Sequence, residues 1–348
     1  MGIGIRWPLN KEALFDKMSK NRERRLYVMD EILTALLPGE VVSGEKMSES
    51  LGITRTAVWK KVTALRERGF EIESVGRKGY RLIRSPDVLM APLISAGLGT
   101  KWAGHPVICH ECVDSTNRVL KQMAINGAGH GTLVLANEQT GGRGRRGRGW
   151  LTPKDTSIAM SLLLRPEIPP ARVALLSLAA SVAVAKGIEQ VTGLPARIKW
   201  PNDIVVNGKK VCGILLEMEA NEQSVSYVVA GAGINVHILE FPEEIRETAT
   251  SLDLECGHPV SRVKTVQAVM RAAEETEQML RQGTFMSVYE QYSATMGRPV
   301  SVQAVGETFT GTAERIKEDG VLVVRTASGE LREVMAGDVS VRGLMGYV

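Results

Sequence analysis

The sequence predicts an α+β protein built from three successive domains. Residues 26–84 contain short helical patterns that end in a basic β-hairpin, residues 105–296 mix apolar strands with one long apolar helix, and residues 297–348 contain short alternating strands between Gly and Asp turns. One core rarely organises more than about 200 residues, so a chain of 348 residues is expected to divide in this way. Residues 85–104 form a predicted linker, and residues 1–25, which lack clear periodicity, form an extension outside the fold prediction.

Composition and charge describe an ordinary cytoplasmic protein. The hydrophobic fraction of 44% and the charged fraction of 24% exclude a largely disordered or fibrous chain. Four cysteines are too few for a disulfide scaffold, which indicates a reducing compartment. Val173 to Ala185 is shorter than the roughly 20 apolar residues of a membrane span, and the N-terminus lacks a signal-peptide pattern. We therefore expect a cytoplasmic protein with no membrane partner.

Residues 26–84 predict three helices with a sharp turn between the second and the third. Val28, Ile32 and Leu36 recur at helical spacing in the first. Ser43 is placed to cap the second helix, which Gly52 ends. Thr54 is placed to cap the third, and Val58, Val62 and Leu65 line its apolar face up to Gly69. This spacing is typical of a helix-turn-helix.

A basic β-hairpin follows these helices. Phe70 to Val75 alternates apolar and polar residues, turns at residues 76–79 and returns as Tyr80 to Ile83. Residues 40–84 carry ten Lys and Arg against six Glu, so we expect a winged helix that binds operator DNA, as a homodimer on paired half-sites because one module makes few contacts. The expected DNA contacts are Arg55, Thr56, Lys60 and Thr63 on the third helix and Arg77 and Lys78 at the tip of the wing.

The central region predicts a mixed sheet with one long buried helix. The helix is Ala171 to Val191, which is apolar nearly all round. Asn207-Gly208 between two apolar runs predicts a type I′ hairpin, and further helices are expected at about 261–281 and 284–295. The predicted strands are Val107–Val113, Thr132–Asn137, Ile158–Leu164, Ile204–Val206, Val211–Met218 and Val225–Ala230, followed in the small barrel by Val300–Ala304, Thr308–Ile316 and Gly320–Arg325.

Gly141 to Trp150 places four arginines within six positions, separated by glycines. Guanidinium groups this close repel one another, so we expect a loop that is mobile until an anion neutralises it. Arginine grips phosphate or carboxylate bidentately, and glycine allows the backbone to approach the anion. An exposed basic loop and an RGG-type nucleic-acid segment are the alternatives. The loop joins two apolar strands inside a packed domain, which favours a substrate-binding loop.

Five sequence motifs, in their order along the chain, resemble those of a known protein family. They are DSTN at 114–117, Gln139 with GRGRRGRGW at 142–150, KWPND at 199–203, GKKVCGILLE at 208–217 and GAGIN at 231–235. In this order they resemble the biotin protein ligases, and with the winged helix in front and the barrel behind they resemble the bifunctional ligase and biotin-operon repressor type over about residues 26–348. The resemblance implies a central domain similar to class II synthetase folds and an SH3-like C-terminal barrel.

The resemblance also implies a two-step reaction. Biotin and ATP form biotinyl-5′-AMP and pyrophosphate, and a lysine of a biotin carboxyl carrier domain, part of a biotin-dependent carboxylase, then takes the biotinyl group. Biotinyl-AMP would also act as the corepressor of biotin synthesis genes. ATP with Mg²⁺ and biotin are the expected substrates and no permanently bound cofactor is expected. Without a carboxylate cluster in the sequence, we assign no metal ligands.

By resemblance, biotin and its adenylate contact Ser115, Thr116, Asn117, Gln139, Arg143, Gly144, Arg145, Lys210 and Gly213. The adenylate side is expected to include Arg146, Arg148, Trp150, Lys199, Asn202 and Asn235. These residue types suit the ligand, because hydroxyls, helix-start N–H groups and the Gln139 amide offer both donors and acceptors to a ureido ring. The alternative for Thr116 is a simple helix N-cap.

Three residues are expected to be catalytic. Arg143 offsets negative charge as carboxylate meets α-phosphate, and Lys210 holds the carboxylate and then the phosphate oxygens. Asp203 accepts a proton from the acceptor lysine. The alternatives are a solvent-facing hairpin lysine at 210 and a turn aspartate that caps its own backbone at 203. Lys209 should point to the opposite face of its strand.

Three rival functions stay open on the sequence. A lipoate or octanoate ligase shares the general fold, although the arginine loop and Gln139 argue against it. The presence of Lys210, Asp203 and the arginine loop argues against a biotin-sensing transcription factor without catalysis. The winged helix could also be a remnant that no longer binds DNA. Cys109 and Cys112 are interpreted as buried or half-buried free thiols rather than a metal site.

Overall fold

A computed structural model of the chain describes residues 21–304, 307–335 and 340–343. The chain divides into two compact units, residues 1–96 and residues 97–348, which are considered separately below. The predicted N-terminal extension, apart from residues 21–25, lies outside the described residues.

The first unit contains a winged helix. Its elements are α1 (Asn21–Leu36), α2 (Gly44–Leu51), α3 (Arg55–Glu67), β1 (Glu71–Ser74), β2 (Tyr80–Arg84) and α4 (Ala91–Ser95). Strands β1 and β2 pair antiparallel, which completes the wing. The predicted order of three helices and a hairpin is confirmed.

Local capping explains where these helices begin and end. The Ser43 side chain accepts a hydrogen bond from the backbone N–H of Glu45, and Thr54 accepts one from Ala57. Gly52 ends α2 with φ of 60°, a left-handed conformation that costs glycine little. Each cap satisfies an N–H group that the first turn of a helix leaves unpaired, so the boundaries follow from the sequence.

The segment predicted as a linker contains ordered structure. Helix α4 lies inside it, and Leu89 and Ile94 are fully buried. The first compact unit therefore continues past the wing to Ala96.

The second unit is organised around a seven-stranded mixed sheet in the order β3-β4-β5-β9-β8-β7-β6. The first pair, β3 with β4, is parallel and the other pairs are antiparallel. The strands are β3 (Val107–His110), β4 (Leu133–Ala136), β5 (Ser157–Leu164), β6 (Arg197–Lys199), β7 (Asp203–Val206), β8 (Lys209–Ala220) and β9 (Val225–Asn235). Between β7 and β8, Asn207 and Gly208 have φ of 48° and 78°, as the predicted type I′ turn requires.

Helices pack against this sheet and against one another. They are α5 (Thr116–Ile125), α6 (Val173–Thr192), α7 (Leu252–Cys256), α8 (Arg262–Gln282) and α9 (Phe285–Tyr292). Helix α6 is long and apolar enough to cross a membrane, a test that the core helix of a soluble domain also passes, and half of its most apolar window is buried within the fold. It meets α8 closely, because a Cβ on Gly187 would lie 2.5 Å from a methyl carbon of Val269.

Strand β3 is shorter than predicted, and two short elements of residues 105–296 were not predicted. Strand β3 ends at His110, and Val113 instead forms an isolated parallel bridge with Gln139. Strand β6 has three residues and α7 has five, so neither contains enough periodic positions to be recognised from the sequence.

The C-terminal part is a five-stranded antiparallel sheet in the order β13-β12-β11-β10-β14. Its strands are β10 (Pro299–Ala304), β11 (Glu307–Ile316), β12 (Leu322–Arg325), β13 (Leu331–Val334) and β14 (Ser340–Gly343). Val302, Ala313 and Val324 are fully buried in its core. This sheet confirms the predicted small β domain of SH3-like type.

Candidate active site

Residues from the five sequence motifs meet in one cavity of about 1100 Å³ in the second unit. The sequence-predicted residues that line it are Ser115, Thr116, Asn117, Gln139, Arg143, Gly144, Arg145, Arg146, Arg148, Trp150, Lys199, Asn202, Asp203, Lys210, Gly213 and Asn235. They come from loops and strands up to 120 positions apart, and the order of the sheet brings them together.

Lys210 and Asp203 form an ion pair on the floor of this cavity. Their side chains are 25% and 18% exposed, and Lys210 Nζ lies 2.6 Å from Asp203 Oδ1. A β-bulge between β7 and β8 makes this possible, because the register passes from Lys210 opposite Val205 to Cys212 opposite Ile204. The extra residue, Val211, turns Lys210 to the same face as Asp203. A solvent-facing lysine at 210 is therefore the wrong interpretation, and Lys209 lines a separate, smaller cavity.

Two glycines leave room for Trp150 over the sheet. A Cβ on Gly233 would lie 2.2 Å from Trp150 Nε1, and one on Gly213 would lie 3.1 Å from the same indole ring. The ring centre is 5.3 Å from Lys210 Nζ, within the range of a cation–π contact. Gly213 of the GKKVCGILLE motif and Gly233 of the GAGIN motif thus provide the surface on which Trp150 lies.

The arginine loop folds back on itself. Arg143 and Gly149 form an isolated antiparallel bridge, and the turn between them places Arg146 at φ of 57° and Gly147 at φ of 70°. Arg145 Nη1 donates to Asn202 Oδ1 at 3.0 Å, which joins the loop to the KWPND motif.

The KWPND motif forms the turn between β6 and β7, with Lys199 paired to Asp203 in the register. Asn202 Nδ2 donates to the carbonyl oxygen of Ile214 at 2.6 Å, which secures the turn to β8. Trp200 is buried and its backbone N–H donates to Thr295 Oγ1. Asp203 begins β7 and its carboxylate pairs with Lys210, a contact that the self-capping alternative does not explain.

The start of α5 carries a polar contact that the capping alternative does not explain. Ser115 precedes the helix and Thr116 is its first residue. The Thr116 backbone N–H donates to Gln139 Oε1 at 2.8 Å, and the Thr116 hydroxyl lies 3.1 Å from the same oxygen. Gln139 Nε2 donates to Thr152 Oγ1 at 3.3 Å. The Thr116 side chain therefore points to Gln139 instead of capping its own helix.

Sequence reasoning missed two residues that extend this contact, Ser161 and Glu217. Ser161 Oγ donates to Asn117 Oδ1 at 2.6 Å and lies 2.8 Å from Thr116 Oγ1. Asn117 Nδ2 donates to Glu217 Oε2 at 2.9 Å. The five side chains that follow one another, called the polar relay here, are Glu217, Asn117, Ser161, Thr116 and Gln139. Ser161 belongs to none of the five motifs, and Glu217 ends the GKKVCGILLE motif without a predicted role.

Residues 238–249 form a further wall that sequence reasoning missed. The segment lines the cavity with apolar residues and three carboxylates, and it is tied to β8 because the Lys210 backbone N–H donates to the Thr248 carbonyl at 2.7 Å. The lining residues are Ile238, Glu240, Phe241, Pro242, Glu244, Ile245, Glu247, Thr248 and Ala249. It has no regular periodicity that predicts such a wall.

Cys212 lies next to the ion pair along β8 and is fully buried. Burial raises the pKa of the Cys212 thiol far above its usual range, more than the charge of Lys210 lowers it. The thiol therefore stays neutral near pH 7 and is a poor nucleophile. Among the described residues, no group of three or more His, Cys, Asp or Glu side chains is placed to hold a metal ion.

The winged helix presents a second candidate surface. Arg55, Thr56 and Lys60 on α3 and Arg77 and Lys78 in the wing turn are exposed, and Thr63 is half-buried. Arg55 forms an ion pair with Glu45 whose side chains are 66% and 59% exposed. The indole of Trp59, next to Lys60, is 52% exposed and was not anticipated.

These two sites define a class of protein. A cavity with several arginines, a lysine–aspartate pair and a polar relay suits a phosphorylated substrate and acyl chemistry. The same chain carries a basic winged helix, the architecture of a DNA-binding domain. The class is thus an enzyme joined to a DNA-binding module.

Family models match all three regions. Residues 109–235 match the biotin/lipoate A/B protein ligase family, residues 29–81 match a helix-turn-helix domain, and residues 295–342 match the biotin protein ligase C-terminal domain. The chain is 40% identical to the bifunctional ligase/repressor BirA of Bacillus subtilis over 86% of its length and 94% of the relative. It is 30% identical to BirA of Escherichia coli over 89% of its length and 96% of the relative.

The chain belongs to the family of bifunctional biotin protein ligases and repressors. Among solved structures it resembles a biotin protein ligase from Aquifex aeolicus in complex with biotin and ATP, with a TM-score of 0.60 and 29% identity over 68% of this chain and 98% of that one.

Proposed function

We propose that the cavity of the second unit activates biotin with ATP and transfers it to a lysine of a biotin carboxyl carrier domain. Family membership makes the chain an ATP-dependent biotin protein ligase with a DNA-binding domain. The observation that supports the assignment of the site is that residues of five separate motifs line one cavity. Contacts among the residues that line this cavity support the role that we assign to each of them.

In the first step the biotin carboxylate attacks the α-phosphate of ATP, an acyl–phosphate bond forms, and pyrophosphate leaves. Two anions must approach each other, so cations are needed where negative charge accumulates. Lys210, with Arg143 and Arg145 on the loop above it, supplies this charge in our assignment. Before substrate binds, the positive charge of Lys210 is offset by Asp203 at 2.6 Å. Magnesium enters as part of the MgATP substrate.

In the second step the acceptor lysine attacks the acyl carbon and AMP leaves. The attacking amine must lose a proton, and a carboxylate within hydrogen-bonding reach is a suitable acceptor. We assign this role to Asp203, because it is the carboxylate that faces the same floor as Lys210. Once the adenylate phosphate draws Lys210 away, the Asp203 carboxylate can accept a hydrogen bond from the incoming amine.

The two ends of the cavity suit the two ends of the adenylate. Thr116 and Gln139 line the polar end at the start of α5, which we assign to the ureido ring of biotin. Trp150 lies flat over Gly213 and Gly233, which suits stacking against the adenine base. We place Arg146, Arg148, Lys199, Asn202 and Asn235 on this adenylate side.

The decisive experiment supplies the pure protein with biotin, ATP, magnesium and a biotin carboxyl carrier domain. We expect biotin-dependent pyrophosphate release and transfer of biotin to the carrier. Lipoate and octanoate serve as matched substrates, and activity with either one instead of biotin would identify a lipoate-type ligase. Binding of biotin without pyrophosphate release would identify a non-catalytic sensor.

We further propose that the winged helix represses biotin synthesis genes, as a homodimer on a two-fold symmetric operator, with biotinyl-AMP as corepressor. The exposed basic residues of α3 and the wing support contact with base edges and phosphates. Mobility shifts on the promoter of the organism's biotin genes, with and without biotin plus ATP, test this. No shift in either state, with ligase activity intact, would leave the winged helix a silent domain.

We also propose a cellular location for the protein and bounds for its three domains. The chain acts in the cytoplasm without a membrane partner, in keeping with its sparse cysteines. Its winged helix spans residues 26–84, its catalytic domain residues 105–296 and its C-terminal β domain residues 297–348. Cell fractionation and size-exclusion chromatography with light scattering, with and without operator DNA, test location and oligomeric state.

A further inference from the structure

Glu217 lies behind the biotin end of the cavity and receives two hydrogen bonds from one face of α5. Asn117 Nδ2 reaches its Oε2 at 2.9 Å, and Lys121 Nζ, one helical turn further along α5, reaches its Oε1 at 3.0 Å. Burial works to raise the pKa of Glu217, but the hydrogen bonds from Asn117 and Lys121 and the charges of Lys121 and Arg143 lower it overall. Glu217 is therefore a carboxylate near pH 7, and a carboxylate can only accept hydrogen bonds.

This carboxylate, together with the backbone carbonyl oxygen of Leu215 at 3.4 Å from Asn117 Nδ2, determines how the amide of Asn117 is turned. Asn117 is 6% exposed and lies against Gly231, where a Cβ would come within 2.2 Å of its Oδ1. With the amide reversed, two oxygen atoms would face each other at about the Asn117–Glu217 distance without a hydrogen between them, a buried repulsion. The nitrogen of Asn117 must therefore face Glu217 and its oxygen must face Ser161.

Ser161 transmits the direction of the hydrogen bonds from Asn117 to the cavity. An amide oxygen only accepts, so the single hydroxyl hydrogen of Ser161 points to Asn117 Oδ1 at 2.6 Å. Ser161 then offers Thr116 only lone pairs across their 2.8 Å contact. The Thr116 hydroxyl hydrogen therefore stays within the relay, between Ser161 Oγ at 2.8 Å and Gln139 Oε1 at 3.1 Å, which leaves lone pairs of Thr116 and of Gln139 Oε1 facing the cavity.

We propose that Glu217 is a positioning residue for biotin: acting through Asn117 and Ser161, it sets the polar relay so that Thr116 and Gln139 present acceptors to the N–H groups of the ureido ring. The proposal rests on the proposed function, because it names how the same cavity recognises its substrate. Glu217 itself contacts no substrate in this scheme.

The first test replaces the carboxylate by an amide of the same shape. In Glu217→Gln, an amide can face Asn117 with either end, so only the long 3.4 Å contact with the Leu215 carbonyl still favours the original direction of the relay. We expect KM for biotin to rise about tenfold, the worth of one or two hydrogen bonds, with kcat and KM for ATP within twofold of wild type. Glu219→Gln, an exposed glutamate on the same strand, is the matched control and should leave all three constants unchanged.

A rescue variant distinguishes the loss of hydrogen-bond direction from general damage to the structure. In Asn117→Asp/Glu217→Gln the carboxylate moves to position 117, where it accepts from the new amide at position 217 on one side and from Ser161 on the other. This arrangement restores the original direction, so KM for biotin should return to within threefold of wild type. Lys121→Met removes an ion pair but keeps the Asn117 bond, and should raise KM less than threefold.

Each result either supports or overturns the positioning role of Glu217. Unchanged KM for biotin in Glu217→Gln, or a double variant that binds biotin no better than Glu217→Gln, would overturn the proposal while wild-type activity stands. If Glu217→Gln loses its fold by circular dichroism, the double variant alone carries the decision, since biotin binding equal to wild type supports the proposal and weak binding refutes it. A wild-type protein that releases no pyrophosphate with biotin would instead refute the proposed function, and the positioning role with it.

Discussion

Two ion pairs, one in the catalytic cavity and one on the winged helix, place the same kind of interaction in opposite environments. Lys210 and Asp203 are 25% and 18% exposed and share a floor with Trp150 and two glycines. Arg55 and Glu45 are 66% and 59% exposed on the outward side of two helices. The first pair is surrounded by protein and the second by water.

This difference predicts different behaviour. A partly buried pair loses hydration and depends on its partner, so removal of one member has a large effect. An exposed pair contributes little to stability and exchanges easily for another anion, such as a DNA phosphate. The cavity is therefore organised before its substrate arrives, whereas the DNA-binding surface acquires its partners from the nucleic acid.

The largest expected effect tests the organised cavity. Lys210→Ala removes the cation to which we assign both the carboxylate and the phosphate, so we expect pyrophosphate release to fall about 100-fold or more with the fold intact. Lys209→Ala is the matched control, because Lys209 lines a separate cavity, and it should be nearly silent. Pyrophosphate release by Lys210→Ala within threefold of wild type would contradict the assignment.

The next effect tests the exposed surface. Arg55→Ala should weaken operator binding roughly tenfold to 100-fold and random DNA less, because a base contact contributes about 1 to 3 kcal/mol to discrimination. Lys78→Ala, at the wing tip, should weaken both DNAs alike and reduce the salt slope by about one unit. Fluorescence anisotropy over a salt series measures both. Equal losses on the two DNAs for Arg55→Ala would show that it contacts only phosphate.

An effect of about tenfold is expected for the arginine loop, the part of the cavity that resembles the exposed surface. Four arginines in Gly141 to Trp150 repel one another until a phosphate neutralises them. Trypsin should cut this loop in the protein alone and about tenfold more slowly with biotinyl-AMP bound. Cutting at the same rate in both states would show that the loop is already ordered.

A smaller effect separates the two ends of the cavity. Gly233→Ala places a methyl group against Trp150 and should raise KM for ATP about fivefold, whereas Gly231→Ala places one against Asn117 and should raise KM for biotin instead. Steady-state kinetics with each substrate varied in turn measures the two shifts. If both variants raised KM for the same substrate, the two ends of the cavity would not be distinct.

The smallest effect concerns the scaffold of the DNA-binding surface. Thr54→Ala removes the hydrogen bond to the Ala57 N–H and should lower the stability of the winged helix by about 1 kcal/mol. Thr56→Ala, on the same helix, is the control and should lower the stability of the winged helix much less. Hydrogen exchange at the amides of α3 reports the difference, and a cost for Thr56→Ala equal to that for Thr54→Ala would contradict the cap.

Much of this protein follows from local sequence. Ser43 and Thr54 cap their helices and Gly52 ends one because side-chain oxygens and left-handed glycine meet needs that arise within a few residues. Asn207-Gly208 forms its predicted turn for the same reason. The motif residues around Lys210 could be named because their chemistry suits an acyl-adenylate, and the family comparisons bear out the resemblance on which that choice rested.

Other features depend on contacts between distant segments, which no local pattern encodes. The bulge that turns Lys210 toward Asp203 depends on the pairing of two strands, and the wall at 238–249 depends on its bonds to β8. Ser161 and Glu217 are ordinary strand residues until α5 is packed beside them, 44 and 100 positions from Asn117. Hydrogen bonds depend on distances of a few tenths of an ångström between atoms, so only the folded structure could assign these residues their partners.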